Sequence, residues 1–288
     1  MGEELKVDRV CARAGSMVES VSFDVDQVVH EIRAAADEFL RPRFRSLKAG
    51  DVWEKSPGEL VTIADDECEA HLGPALLAAV PGSVLIGEEA ASRDASLFSL
   101  LSGDGPVWLL DPLDGTSAFA AGSPDYAVMA ALVARGETVL SVIHQPEYGR
   151  TFVAERGSGA RELESGVPVS STTERAPGHF RGAVMKRFLP LDVRKIIEAN
   201  ESRFPSLEPV TKTAGIEYPA IATGERDFML YWRTLPWDHV PGSLLLSESG
   251  GKAAHLDGTR YRPEEQREGL LVARTPEVWN RARQELGI

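Results

Sequence analysis

The chain reads as an α+β fold whose later half is α/β. Three observations carry that reading. Helical periodicity opens the chain, a run of short apolar strands joined by turn residues follows, and strands alternate with helices over the last hundred residues.

Residues 1–22 show no periodicity and read as an N-terminal arm. Over 25–47 the apolar residues Val28, Val29, Ile32, Ala35, Ala36, Phe39 and Leu40 recur at three- and four-residue steps, the spacing of one helix face. Pro42, late in that stretch, kinks or shortens it. Lys55-Ser56-Pro57-Gly58 reads as a loop before a short strand at 60–62. A helix from near Asp65 to Val80 carries acids in its first turn and is broken by Pro81-Gly82. Strands are expected at 83–86, 107–110, 126–134 and 138–144, with Arg135-Gly136-Glu137 as a hairpin turn. Residues 151–155 and the stretch after Gly157-Ser158-Gly159-Ala160 extend that sheet. The Pro/Ser/Thr-rich segment 165–177 marks a boundary between an α+β subdomain at 23–168 and an α/β subdomain at 169–288. In the latter, strands at 182–185, 228–231 and 270–273 alternate with helices at 191–200, 214–223, 238–249 and 276–286.

The chain has 288 residues, 43% hydrophobic and 26% charged, enough for a sizeable core. Its net charge of -13, with no Lys/Arg-rich stripe, argues against a nucleic-acid polymer as partner. An anionic small molecule is compatible with that charge if bound cations invert the local field. Two cysteines, Cys11 and Cys68, imply no disulfide framework and suit a reducing cytoplasm. No signal-like leader and no run of about 18 apolar residues suggests a membrane partner. His71, His144, His179 and His255 have no zinc-like spacing.

Chemistry concentrates in Trp108-Leu109-Leu110-Asp111-Pro112-Leu113-Asp114-Gly115-Thr116. An apolar strand runs into two carboxylates three residues apart, then into a glycine and a hydroxyl that can open a helix. Such carboxylates suit a hard divalent cation, and a helix start offers N–H groups to a phosphate. The same residues also make good turn chemistry. Gly87-Glu88-Glu89 follows another apolar strand, Asp65 and Asp66 open a helix, and Asp238 follows Trp237 ahead of an apolar helix. Capping or solvation explains each singly. One shared site accounts for all four more economically.

With these residues in view, the chain resembles the inositol monophosphatase-like superfamily of magnesium-dependent, lithium-sensitive phosphatases. The resemblance rests on Leu60-Val61-Thr62-Ile63-Ala64-Asp65, Gly87-Glu88-Glu89, Asp111-Pro112-Leu113-Asp114-Gly115-Thr116, and Trp237-Asp238 with Gly250-Gly251 beyond. It implies a layered αβαβα sandwich of the inositol monophosphatase and fructose-1,6-bisphosphatase type, two or three Mg2+ ions and a homodimer. By the same resemblance, Glu88, Asp111 and the Leu113 carbonyl hold one metal, and Asp111, Asp114 and Asp238 a second. Thr116, paired with Asp65, orients water, while the Gly115 and Thr116 amides grip the phosphate. Glu89 stands behind these ligands or partners a further magnesium.

The match departs at one place. Inositol-specific members carry a glutamate seven residues before the Trp-Asp aspartate, where this chain has Tyr231, followed by Trp232 and Arg233. Ala214 and Glu217 align with the substrate-wall helix, and Tyr231 and Arg233 are further candidates for substrate contact. His239, beside Asp238, is unusual for the motif. No local pattern decides whether Lys186 and Arg187 reach the site. The expectation is hydrolysis of a small phosphate monoester of the inositol-, sugar- or polyol-phosphate type. A 3′(2′),5′-bisphosphate nucleotidase or a fructose-1,6-bisphosphatase is the alternative, and a non-catalytic metal and phosphate binder the rival.

Overall fold

The computed structural model describes residues 21–172, 180–209, 213–265 and 267–288. The arm expected at 1–22 therefore lies outside the described residues except for Val21 and Ser22, as do Cys11, His179 and the end of the 165–177 boundary segment.

Helix α1 (Val25–Ala35) starts at Asp24, whose carboxylate accepts the Asp26 and Gln27 N–H groups, and buries Val28, Val29, Ile32 and Ala35. A wider turn, Ala36–Leu40, ends it, with the Arg41 N–H on the Ala36 carbonyl. The helical stretch is thus shorter than the expected 25–47, because Pro42 has no N–H to continue the ladder. Strands β1 (Val52–Ser56) and β2 (Glu59–Thr62) pair as a hairpin. Only its tip matches the loop expected at 55–58. Helix α2 (Ile63–Ala79) begins two residues before Asp65: Thr62 is its N-cap, and Asp65 closes the capping box.

The first sheet has six strands in order: β3 (Val84–Gly87), β4 (Val107–Asp114), β5 (Ala127–Ala134), β6 (Glu137–Gln145), β7 (Arg150–Glu155) and β8 (Gly159–Glu162). Only β3 and β4 run parallel. Helix α3 (Glu88–Arg93) follows β3, and α4 (Thr116–Ala120) follows β4. The second sheet holds β9 (Arg181–Val184), β10 (Ser206–Pro209), β11 (Phe228–Tyr231), β12 (Lys252–His255) and β13 (Leu270–Ala273), in the order β10-β9-β11-β13-β12. Its helices are α5 (Leu191–Asn200), α6 (Ala214–Ala222), α7 (Pro236–Glu248) and α8 (Pro276–Leu286).

Three apolar clusters stack these elements into five layers. One packs α1 and α2 on the outer face of the first sheet, through Ile32, Leu72, Trp108 and Val142. A second seats α6 and α7 between the sheets, through Met129, Ile143, Tyr218, Leu245 and Val272. The third covers the outer face of the second sheet with α8, through Phe228, Leu271 and Trp279. Fully buried strands explain the near-continuous apolar runs of β4, β5 and β6. Residues from both halves share the middle core, and the functional cleft opens where β3 and β4 end and α6 and α7 begin.

Candidate active site

Strand register brings the first two acids together. Gly87 pairs with Leu110 across the parallel β3–β4 ladder, so Glu88 and Asp111 leave that ladder side by side. Both acids of the Asp111–Asp114 pair lie inside β4 rather than beyond its end. Asp111 opposes Met129 and Asp114 opposes Ala127, so β4 spends three residues where β5 spends two. That bulge breaks the alternation which would otherwise point residues three apart to opposite faces. Pro112, with no N–H to give the ladder, sits where the pairing lapses. The Leu113 N–H bonds Asp111 Oδ1 at 2.9 Å. Gly115 then turns at φ +93°, and a side chain there would meet the Asp125 carbonyl at 2.9 Å.

The hydroxyl of Thr116 donates to Asp65 Oδ1 at 2.8 Å and lies 3.1 Å from the Leu113 carbonyl. Asp65 also accepts the Thr62 hydroxyl at 2.6 Å and the Thr62 N–H at 2.8 Å. It is both the capping residue and the Thr116 partner, so the two readings offered by the sequence coexist. Burial pushes its carboxyl up to about 7, against the pull of the Thr62 and Thr116 bonds. Asp66, one residue on, pairs with Arg93 instead.

The opposite wall comes from α6 and α7. Gly215 N–H bonds Asp114 Oδ2 at 2.6 Å. Burial raises the Asp114 carboxyl to about 6, opposed by bonds from Thr213 and the Gly215 and Ala214 amides. Asp238 sits in the first turn of α7, after Pro236 at the position where proline fits a helix start. Burial, then the charges of Glu88, Asp114 and Asp238, hold Asp111 well above the usual carboxylate range. Burial, with Glu88 and Asp114, does the same to Asp238.

Glu88, Asp111, Leu113, Asp114, Gly115, Thr116 and Asp238 all line one cleft of about 660 Å³. Among the described residues no three acidic, histidine or cysteine side chains meet at metal-ligand spacing. Lys55, on β1, bonds Glu88 and Glu89 at 2.7 Å each. Burial works against its charge, but the two carboxylates outweigh that and raise its ammonium pKa. Glu88, Asp111, Asp114 and Asp238 face one cleft from both walls and form an all-oxygen donor set whose repulsion, felt in the raised pKa of Asp111 and Asp238, a divalent cation relieves. The set fits magnesium.

Sequence reasoning missed three contributors. Lys55 lay in the assumed loop. Glu69 accepts the Glu89 and Ala90 N–H groups at 2.9 Å and so fixes the start of α3. Its four-residue spacing from Asp65, one helix turn, was the available signal. Thr213 lines the cleft beside Asp114.

Of the four candidate substrate contacts, Arg233 lines the cleft, paired with Glu59 of the β1–β2 hairpin. Ala214, Glu217 and Tyr231 are not among its lining residues. The Ala214 amide turns to Asp114, Glu217 is fully buried against Arg226, and Tyr231 stacks on Tyr218 at 5.6 Å. Lys186, Arg187 and Phe188 do line it.

The chain belongs to the inositol monophosphatase family, whose profile matches residues 23–286. It is 29% identical over 209 residues to the Thermotoga maritima fructose-1,6-bisphosphatase/inositol-1-monophosphatase, covering 71% of this chain and 75% of that one. It is 30% identical over 231 residues to the Pseudomonas aeruginosa Nus factor SuhB, covering 75% and 80%. In fold it is similar to the Bartonella henselae extragenic suppressor protein suhB, with a TM-score of 0.75 at 24% identity over 91% of this chain and 97% of that one. The Thermotoga maritima IMPase gives a TM-score of 0.71 at 24% identity, covering 91% and 100%. No helix among the described residues is long and apolar enough to cross a membrane.

Proposed function

We propose that this protein is a magnesium-dependent phosphatase that hydrolyses a small phosphate monoester of the inositol-, sugar- or polyol-phosphate type, acting as a homodimer. One observation carries the reading. Thr116, whose hydroxyl bonds the buried Asp65, lines the same cleft as Glu88, Asp111, Asp114 and Asp238. Capping α2 accounts for the bonds of Asp65 to Thr62 but not for its bond to the cleft-lining Thr116, and that bond favours catalysis over a non-catalytic metal and phosphate binder.

Glu88, Asp111, the Leu113 carbonyl, Asp114 and Asp238 would hold two or three magnesium ions, which supply neutralisation of the phosphate oxygens and acidification of water. The protein's own groups do the rest. Because Thr116 Oγ1 gives its proton to Asp65, its lone pairs are free to accept a proton from water in the cleft. Asp65, held near neutral pKa by burial, can take that proton on. The Gly115 and Thr116 amides, where the chain turns into α4, grip the phosphate. Phosphoryl transfer asks for such positioning rather than for a covalent nucleophile.

A second reading, a 3′(2′),5′-bisphosphate nucleotidase or fructose-1,6-bisphosphatase, is favoured by the basic residues that line the cleft. Arg233 is paired with Glu59 and Lys186 with Glu201, but Arg187 bonds the neutral Gly58 carbonyl at 2.9 Å. That guanidinium keeps a charge and N–H donors for a second anionic group of the substrate.

Release of inorganic phosphate with and without magnesium separates these outcomes, measured on inositol 1-phosphate, glycerol 2-phosphate, fructose 1-phosphate, fructose 1,6-bisphosphate and adenosine 3′,5′-bisphosphate. Magnesium-dependent release from the monophosphates supports the first reading, and release confined to the bisphosphates supports the second. Turnover of none, or turnover indifferent to magnesium, removes the phosphatase reading.

A further inference from the structure

We infer that His239 is a positioning residue, whose two ring nitrogens lock the helix bearing Asp238, the helix that caps Asp114 and the strand end bearing Arg233 into one register, and so set the cation affinity of the cleft. The inference rests on the reading of Asp114 and Asp238 as magnesium ligands, and it concerns a residue that the proposed chemistry does not use.

Successive residues of a helix project about 100° apart, so while Asp238 lines the cleft, its neighbour His239 turns into the protein. His239 is 2% exposed. Its Nε2 lies 3.0 Å from the Arg233 carbonyl. A carbonyl only accepts, so Nε2 carries the proton. Nδ1 is then the acceptor for the Tyr218 hydroxyl at 3.1 Å. The ring stands edge-on to Tyr231, with centroids 4.6 Å apart.

Each of these partners belongs to a piece of the cleft. Tyr218 is on α6, the helix whose first N–H groups bond Asp114. Arg233 follows β11, lines the cleft and exerts a favourable charge on Asp238. There is little slack between the helices: a side chain at Gly242 of α7 would run into the Tyr218 ring. Removing the imidazole nitrogens leaves the half-buried Arg233 carbonyl without its partner and the Tyr218 hydroxyl with Ser243 alone, and the pieces relax to find other partners. Asp238, in the adjacent position, moves with them.

Plain packing predicts something different, a loss of stability with no change in cation affinity. The discriminating experiment titrates magnesium by calorimetry into the wild-type protein, His239→Phe, His239→Gln and Tyr218→Phe, with thermal unfolding measured in parallel. His239→Phe keeps a ring and loses both bonds, and is expected to weaken magnesium binding about tenfold, the scale found when groups orienting metal ligands are removed. His239→Gln, which keeps a donor for the Arg233 carbonyl, is expected to recover most of that loss. Tyr218→Phe is expected to fall between. Wild-type magnesium affinity in His239→Phe overturns the inference, whatever its melting temperature. Should His239→Phe not fold, wild-type affinity in both His239→Gln and Tyr218→Phe overturns it equally. Should the wild-type protein bind magnesium but release no phosphate from any ester, the phosphatase reading fails while a tenfold loss in His239→Phe still supports this role. A wild-type protein that binds no magnesium refutes both.

Discussion

At the scale of single residues, the Asp65–Thr116 hydrogen bond is the contact on which the proposed chemistry turns. Thr116→Ala removes the proposed proton acceptor and leaves Asp65 without one of its three hydrogen bonds, the other two coming from Thr62. The expected outcome is a fall in kcat of roughly 10²–10⁴-fold, typical for loss of a positioned proton acceptor. KM and the magnesium requirement stay near wild type, and steady-state kinetics decides it. A drop confined to KM contradicts the assignment. Asp65, Glu88 and Asp238 were legible in the sequence because each stands at a helix start, whereas Asp111 and Asp114 stood out by breaking an apolar run, although both lie inside β4. The partners of Glu217 and Tyr231 were not. Whether a glutamate on a helix faces a cleft or an arginine such as Arg226 is decided by the rotation of α6 against the sheets, which no local pattern records.

At the scale of elements, the site depends on how helices begin. Thr62 caps α2 and orients Asp65 with the same hydroxyl, which accepts the Ala64 N–H at 3.1 Å and donates to Asp65 at 2.6 Å. Thr62→Ala is therefore expected to lower stability by about 1 kcal/mol, the usual worth of a cap, and to reduce kcat as well. Urea unfolding beside a rate measurement checks this, and a stability loss with an unchanged rate uncouples cap from catalysis. Elements with strong periodicity or long apolar runs were legible: α1, α2, and β4 to β7. Strands β1, β10 and β12 were not, since a segment such as Lys252-Ala253-Ala254-His255 is a strand only because it pairs with β13. The bulge that aims Asp111 and Asp114 together is likewise a property of the β4–β5 pairing, although Pro112 hinted at it.

At the scale of the whole molecule, burial that tunes the cleft also makes the fold sensitive to acid. His144 of β6 is buried beside Thr151, 3.0 Å away. Burial, with the Arg33 charge, lowers its pKa from 6.5 to about 4 against the pull of Glu164. The native state then binds fewer protons than the unfolded chain. Stability from this group is complete above pH 6.5 and is lost as pH falls towards 4. The expected loss between pH 7 and pH 5 is about 2 kcal/mol. Urea midpoints across that range should fall less steeply in His144→Gln than in wild type, and parallel slopes contradict the assignment. The convergence of Lys55, Lys186, Arg187 and Arg233 on one cleft was also beyond the sequence, because the four come from three distant segments and form no stripe along the chain.

The residue, the helix starts and the folded molecule all serve one proposed feature: Glu88, Asp111, Asp114 and Asp238 together hold the magnesium ions of the cleft. Calorimetric titration of magnesium into the wild-type protein and into Asp111→Asn tests it most directly, with phosphate release followed on the same samples. Saturable magnesium binding and turnover in the wild type, both abolished in a folded Asp111→Asn, is the predicted result. A folded Asp111→Asn that binds magnesium and releases phosphate as the wild type does would contradict the account.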